Sequence, residues 1–220
     1  MSELIDLSHT IYDGLVTFKG LPAPLICDYL SREASRANYS DGAEFQIGRI
    51  DMVSNTGTYV DCPFHRYADG KDLNDTPLAR FVDLPAVVVR VDHRRRIEVG
   101  ADDFRGVDVA GKAVLIHTGW SEHWATERYF SDHPFVTADA AAYLRDRGAV
   151  LVGIDSHNID DTRSRNGRPV HSILLRHEIL IVEHLRGLEQ LPVSGFEFSA
   201  VPPKLKGVGT FPVRAFARVR

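Results

Sequence analysis

The densest group of reactive side chains runs from Ser54 to Tyr67, SNTGTYVDCPFHRY, and sets Asp61 and His65 four residues apart. Gly57 permits close backbone approach in this stretch, and Pro63 stiffens it. A carboxylate and an imidazole on one braced segment can be two metal ligands, or a general base with the partner that orients it. The same pair can also do no more than close a loop through an Asp–His hydrogen bond. Farther along, VHSILLRHEILIVEHL places His171 and Glu183 at either end of an apolar run. An ionisable group there needs a partner, because an unpaired buried charge is costly. Should these two meet Asp61 and His65 in space, two imidazoles and two carboxylates share one site.

The remaining candidates have blander readings. His93 and His123 stand in polar, turn-like surroundings and are expected in solvent. His117 ends an apolar segment just before Thr118, Gly119 and Trp120, where it either lines a pocket or packs. His157 follows a strand ending at Asp155, and loops after strands often carry binding groups, although Asp155 is equally suited to capping. Phe18, Phe64, Trp120 and Trp124 can wall an apolar pocket or fill the core. No Gly-rich phosphate loop, nucleophile elbow or CxxC pair is present.

Elements must hold these groups in place. LPAVVVRV (Leu84 to Val91), KAVLIHT (Lys112 to Thr118) and AVLVGI (Ala149 to Ile154) are short, β-branched and apolar, and predict buried strands. TADAAAYLRDR (Thr137 to Arg147) predicts a helix, with Thr137 as N-cap, Asp139 at the positive end of the dipole and Gly148 as terminator. The C-terminal PVRAFARV alternates with period two and predicts a strand with one wet face. The expected fold class is α/β with a mixed sheet, in which strands outnumber helices.

Composition narrows the partners. The chain has 220 residues, 44% apolar and 25% charged, which suits a folded domain and not a disordered one. Its net charge of −4, from 26 basic and 30 acidic residues, argues against a nucleic-acid partner. The short cluster Arg94, Arg95, Arg96 is expected to be a solvated turn. Cys27 and Cys62 cannot form a disulfide framework and suit a reducing compartment. No signal-peptide pattern and no long apolar run is read, so a soluble cytoplasmic protein without a membrane partner is expected.

Several blocks together resemble the cyclase family, a superfamily of metal-dependent hydrolases that includes bacterial kynurenine formamidases, isatin hydrolases and proteins named as polyketide cyclases. These blocks are IDLSHTIYDG, GTYVDCPFHRYADGKDLNDTPLARFVDLPAVVV, VLIHTGWSEHW, YFSDHPFVT, LVGIDSHNID, HSILLRHEILIVEHLRGLEQLP and FEFSAVPPKLKGVGTFPVRAFA, and they cover nearly the whole chain. The resemblance implies one kynurenine-formamidase-like domain over residues 1–220, with a mixed, strand-rich sheet. It also implies a homo-oligomer, a homodimer with the site near the subunit interface. The family's central motif reads H-x-G-T-H-x-D-x-P-x-H. Its two leading histidines and its aspartate hold a divalent metal, usually zinc or manganese, and its last histidine is an acid/base. Here the motif reads N-T-G-T-Y-V-D-C-P-F-H, keeping Gly57, Thr58, Asp61, Pro63 and His65. Asn55 and Tyr59 stand at the two leading histidine positions, and His171 and Glu183 match the family's other histidine and acidic residue.

An Asn amide suits hard cations better than zinc, and a Tyr phenol must lose a proton of pKa about 10 to ligate. The primary metal is therefore expected to be absent and the enzyme to need no cofactor. If one zinc or manganese is retained, its ligands come from Asp61, His65, His171 and Glu183. The leading expectation is a metal-independent acid/base enzyme that closes or opens a ring on a small carbonyl-containing molecule. Its catalytic residues would be His65, Asp61, His171, Glu183 and Tyr59, and its substrate contacts Asn55, Phe18, Phe64 and Trp120. In this reading His65 moves the proton, while Tyr59 and Asn55 donate hydrogen bonds to a carbonyl oxygen or enolate. The alternatives are a one-metal amide, lactam or ester hydrolase of the kynurenine formamidase type, and a non-catalytic binding protein on the same fold.

Overall fold

Three apolar runs form the middle of the molecule, as their β-branched composition predicts. The structure, a computed structural model, describes residues 2–163 and 167–220. The strands are β1 (Glu3–Asp6), β2 (Leu25–Leu30), β3 (Ile47–Asp51), β4 (Tyr59–Asp61), β5 (Leu84–Arg90), β6 (Glu98–Val99) and β7 (Ala113–His117), followed by β8 (Phe135–Val136), β9 (Leu151–Ile154), β10 (Leu180–Glu183), β11 (Ser194–Ser199), β12 (Thr210–Pro212) and β13 (Phe216–Val219). The helices are α1 (Arg32–Ser35), α2 (Ala138–Asp146) and α3 (Pro169–Arg176). Nine strands make one mixed sheet in the order β1-β13-β11-β5-β7-β9-β10-β4-β12. Its centre, β5-β7-β9-β10, is parallel, and β4 and β12 continue it antiparallel. The fold is thus the expected single-domain α/β architecture around a large mixed sheet.

Both faces of the central strands are covered, which is why they read as continuous apolar runs and not as alternating ones. Val87, Val89, Val114, Ile116, Val152 and Ile154 pack on one face against Ala140, Leu144, Val170 and Leu174 of α2 and α3. Val88, Leu115, Leu151 and Val182 pack on the other against Leu7, Phe196 and Phe198.

Three local expectations change. Thr137 does occupy the N-cap position of α2, but its hydroxyl donates to Val99 O at 3.3 Å and does not cap the helix. Gly148 ends that helix as expected, with φ of +77° that a side chain would disfavour. The apolar run from His171 to Glu183 is not one segment. It is α3, a turn with Glu178 at φ +58°, and then β10. The C-terminal strand is also split, with β12 ending at Pro212 and β13 starting at Phe216.

Candidate functional site

The register of three short strands assembles the site. β4 pairs with β10 so that Tyr59 lies opposite Glu183, and with β12 so that Asp61 lies opposite Thr210. Cross-strand neighbours lie within side-chain reach, and both pairs bond. The Tyr59 hydroxyl donates to Glu183 Oε2 at 2.5 Å, and the Thr210 hydroxyl donates to Asp61 Oδ1. His65 follows on a single 3-10 turn, Pro63–His65, pressed against the backbone before β12. A Cβ on Gly209 would stand 2.2 Å from His65 N, so only glycine permits that approach.

Hydrogen-bond chemistry assigns the imidazoles. An ionised carboxylate only accepts, so the Thr210 proton goes to Asp61 and its oxygen accepts from His65 Nδ1 at 2.7 Å. The lone pair of His65 is then on Nε2, on a ring that lines the cavity. His171 opens α3, where Asp160 accepts from the backbone N–H groups of Val170 and His171 at 2.8 and 3.0 Å. Asp160 Oδ2 also accepts from His171 Nδ1 at 2.6 Å, leaving Nε2 to face Asp61 Oδ2 at 3.6 Å and Glu183 Oε1 at 3.7 Å. Glu183 Oε1 accepts from Ile159 N at 2.6 Å. Asp61 Oδ2 is buried and has no hydrogen-bond partner among the described residues.

Burial and charge shape the titrations. Burial opposes the charged form of His171, but the hydrogen-bonded Asp160 carboxylate and the nearby Asp61 and Glu183 carboxylates lift its pKa to about 10. Burial, opposed by His171 and reinforced by Asp61, lifts Glu183 to about 7. Burial and the adjacent Glu183 and Asp61 charges hold the Tyr59 phenol well above its usual value, so it stays protonated.

The donor set fits one divalent cation. Asp61, His65 and His171 each bring a donor atom to within 4.8 Å of the others, and Glu183 adds an oxygen beside His171. A buried carboxylate oxygen without a partner among the described residues, 3.6 Å from the imidazole nitrogen that Asp160 leaves uncommitted, suits a cation as their shared partner.

The Cyclase family model matches residues 5–161, well over half the chain. The chain belongs to the Cyclase family. A kynurenine formamidase from Geobacillus thermodenitrificans is 32% identical over 220 residues, covering 99% of this chain and 98% of the relative. A solved structure titled a potential metal-dependent hydrolase with cyclase activity superposes with TM-score 0.81 at 28% identity, covering 100% of this chain and 99% of that one. Isatin hydrolase A from Labrenzia aggregata, at 21% identity, shares the fold with TM-score 0.84 over 99% of this chain and 94% of its own. This Cyclase-family chain is an enzyme, of hydrolase or cyclase type.

A cavity of about 250 Å³ opens onto His65, His171, Glu183, Tyr59, Asn55 and Phe18, so most of the expected site residues converge. Two do not. Phe64 packs against the core layer, and Trp120 is 1% exposed with its indole N–H donated to Tyr129 O at 3.1 Å. Trp120 is a core residue, and Phe64 is partly buried against that layer. Tyr59 lines the cavity but has spent its one proton on Glu183, and Asn55 hydrogen-bonds that phenol. Tyr59 is therefore placed to position Glu183. Asp160, Thr210, Leu21, Arg66, Asn158 and Arg168 belong to the site and were not among the expected residues. Asp160 alone had a visible signal, a carboxylate in the loop LVGIDSHNID after a buried strand.

The other histidines also move. His117 does not line this cavity and faces a second one beside Arg94, Glu122 and Glu189. Asp155 clasps the loop after β7, accepting from Thr118 N at 2.7 Å and Gly119 N at 2.8 Å. His157 is buried against Phe18, with ring centroids 4.8 Å apart. His93, expected in solvent, is largely buried, and His123 is partly so, because both fold against Trp120.

Proposed function

We propose that this chain hydrolyses the carbonyl–heteroatom bond of a small amide, lactam or ester, with one zinc or manganese ion held by Asp61, His171 and Glu183. The observation that carries this reading is Asp61 Oδ2, buried without a hydrogen-bond partner among the described residues and aimed at His171 Nε2. Three protein ligands leave a position open, as hydrolytic metal sites require. A divalent ion bound there supplies Lewis-acid polarisation of the carbonyl and lowers the pKa of water.

The chain's own residues do the rest. Asp160 fixes the His171 tautomer, and Tyr59 and Ile159 N–H fix Glu183. His65 moves the proton at Nε2, because Thr210 holds its Nδ1 and Asp61 in turn holds Thr210. Phe18 and Leu21 give the cavity an apolar wall, while Arg66, Asn158 and Arg168 add polar groups, which suits a compact aryl carbonyl compound. The kynurenine formamidase relative supports an aryl formamide as the first substrate to try, and the isatin hydrolase fold supports a fused lactam as the second.

The metal-independent ring-forming reading has less support. It needs Tyr59 to donate to the substrate, and that proton is directed at Glu183. Residues 1–220 act in this reading as one catalytic domain. A homodimer is supported by the β2–β3 hairpin, whose Leu25, Tyr29, Ile47 and Ile50 are all exposed and which has too few strands to be stable alone. Protein stripped with a chelator and reconstituted with zinc or manganese should recover hydrolysis of an aryl formamide, a fused lactam or an aryl ester at one bound equivalent. Full turnover in the stripped protein, or a ring-closed product, would overturn the reading.

A further inference from the structure

Outside the catalytic cavity, a second trio of donors meets where the loops after β5 and β7 touch. His93 lies just beyond β5, and Glu122 and His123 lie on the 3-10 turn Trp120–His123 just beyond β7. His93 Nε2 is 3.4 Å from Glu122 Oε1, and His123 Nε2 is 3.5 Å from the same oxygen. The three donor atoms lie within 4.8 Å of one another.

Three features make this a ligand set and not a chance surface contact. The first is the tautomer of His93. Its Nδ1 is 2.9 Å from Thr118 O, and a carbonyl can only accept, so the proton is on Nδ1 and the lone pair on Nε2. A histidine whose far nitrogen is tied to a backbone carbonyl is the usual form of a metal-ligating imidazole. The second is distance. Zinc bonds of about 2.0–2.1 Å in a tetrahedron place neighbouring ligand atoms about 3.3–3.4 Å apart, close to the spacings around Glu122 Oε1. The third is rigidity. Asp155 pins Thr118 and Gly119, and the Trp120 ring stands edge-on to His93 at 5.1 Å and to His123 at 4.6 Å. Of the nearby guanidiniums, Arg94 pairs with Asp92 and Arg128 lies over the Trp120 ring, while their charges also reach Glu122 and His123.

We propose that His93, Glu122 and His123 form a second, independent site for a zinc-type divalent ion, which staples the loop after β5 to the loop after β7. Two imidazoles and a carboxylate suit zinc, and the exposed side of Glu122 leaves the fourth position to water. None of the three residues lines the catalytic cavity, so the inference does not rest on the hydrolase reading.

The test uses the full chain, stripped with a chelator and titrated with Zn²⁺ against a chromophoric competitor. Wild type is compared with the Glu122→Gln, His123→Gln double variant and with Asp61→Asn. Both surface side chains are partly solvated, so the double variant should fold and hydrolyse substrate normally. The proposal expects the double variant to bind one equivalent less than wild type. Asp61→Asn should keep the surface equivalent, and a hundredfold excess of zinc over Kd should raise its thermal midpoint by about 5–10 °C. That rise should vanish when all three substitutions are combined. If the catalytic site holds no metal, wild type binds a single equivalent that the double variant abolishes, and this inference stands while the hydrolase reading falls. Equal zinc stoichiometry in wild type and the double variant overturns it, as does an Asp61→Asn chain whose midpoint zinc does not move.

Discussion

His171 and His93 present the same local chemistry at different depths. Each has Nδ1 tied to an oxygen, Asp160 Oδ2 at 2.6 Å or Thr118 O at 2.9 Å. Each aims Nε2 at a carboxylate, Glu183 at 3.7 Å or Glu122 at 3.4 Å. The difference is that Glu183 and Asp61 are fully buried, whereas the Glu122 side chain is 56% exposed. Water can answer the charge on Glu122, but in the buried cluster only a proton or a cation can. In the proposed reading, burial therefore makes the first pattern a site where a proton and a metal would compete, and leaves the second as a simple staple.

The largest expected effect separates proton transfer from metal binding within the buried cluster. His65→Gln should lower kcat/KM by about 10²–10⁴-fold, the range for losing a general acid/base, while metal content stays at the wild-type level. Loss of the metal in that variant would make His65 a ligand instead. Next comes pH. A cation at the buried cluster must displace the proton that His171 holds up to about 10, so affinity there should rise about tenfold per pH unit from pH 7 towards 10. Glu183, near 7, steepens the dependence below that. The surface site should show a much flatter profile in the same titration.

The sign for stability is the reverse in stripped protein. Both folded pKa values are raised, from 4.5 for Glu183 and 6.5 for His171, so both groups stabilise the cation-free fold at low pH. Glu183 loses that contribution as pH rises through about 7, and His171 loses it through about 10.

A smaller effect tests the outer carboxylate. Asp160→Asn should weaken zinc at the buried cluster by about 10–100-fold, as loss of a ligand's supporting partner does, and leave the surface equivalent untouched. Smaller still, Tyr59→Phe removes one donor to buried Glu183 and should cost about 1–3 kcal/mol of stability in denaturant unfolding. Its rate should fall far less than that of His65→Gln. An equal fall would return Tyr59 to the substrate and revive the ring-forming reading.

Much of this was legible in the sequence, and the limits have physical causes. β5, β7 and β9 were visible because strands buried on both faces are unbroken β-branched runs. α3 was not, because an apolar run reads alike in a buried helix and a buried strand, and the turn at Glu178 carries no glycine. Whether Asp61, His65, His171 and Glu183 meet was not legible from spacing; the pairing of β4 with β10, and the Asp160 carboxylate that takes the N–H groups at the start of α3, bring them together. The partners that assign their protons, Thr210 and Asp160, act across 149 and 11 residues of chain, and no local pattern announces such pairings. His93 misled for the same reason. Its polar neighbours Asp92 and Arg94 suggest solvent, but the fold turns its ring onto Trp120.

The most direct test of the central claim is anomalous scattering at the zinc absorption edge from crystals of the reconstituted, active enzyme. A peak is expected within bonding distance of Asp61 Oδ2, His171 Nε2 and Glu183, with His65 Nε2 facing the open position and not ligating. Active crystals with no anomalous peak at Asp61 and His171 would contradict it.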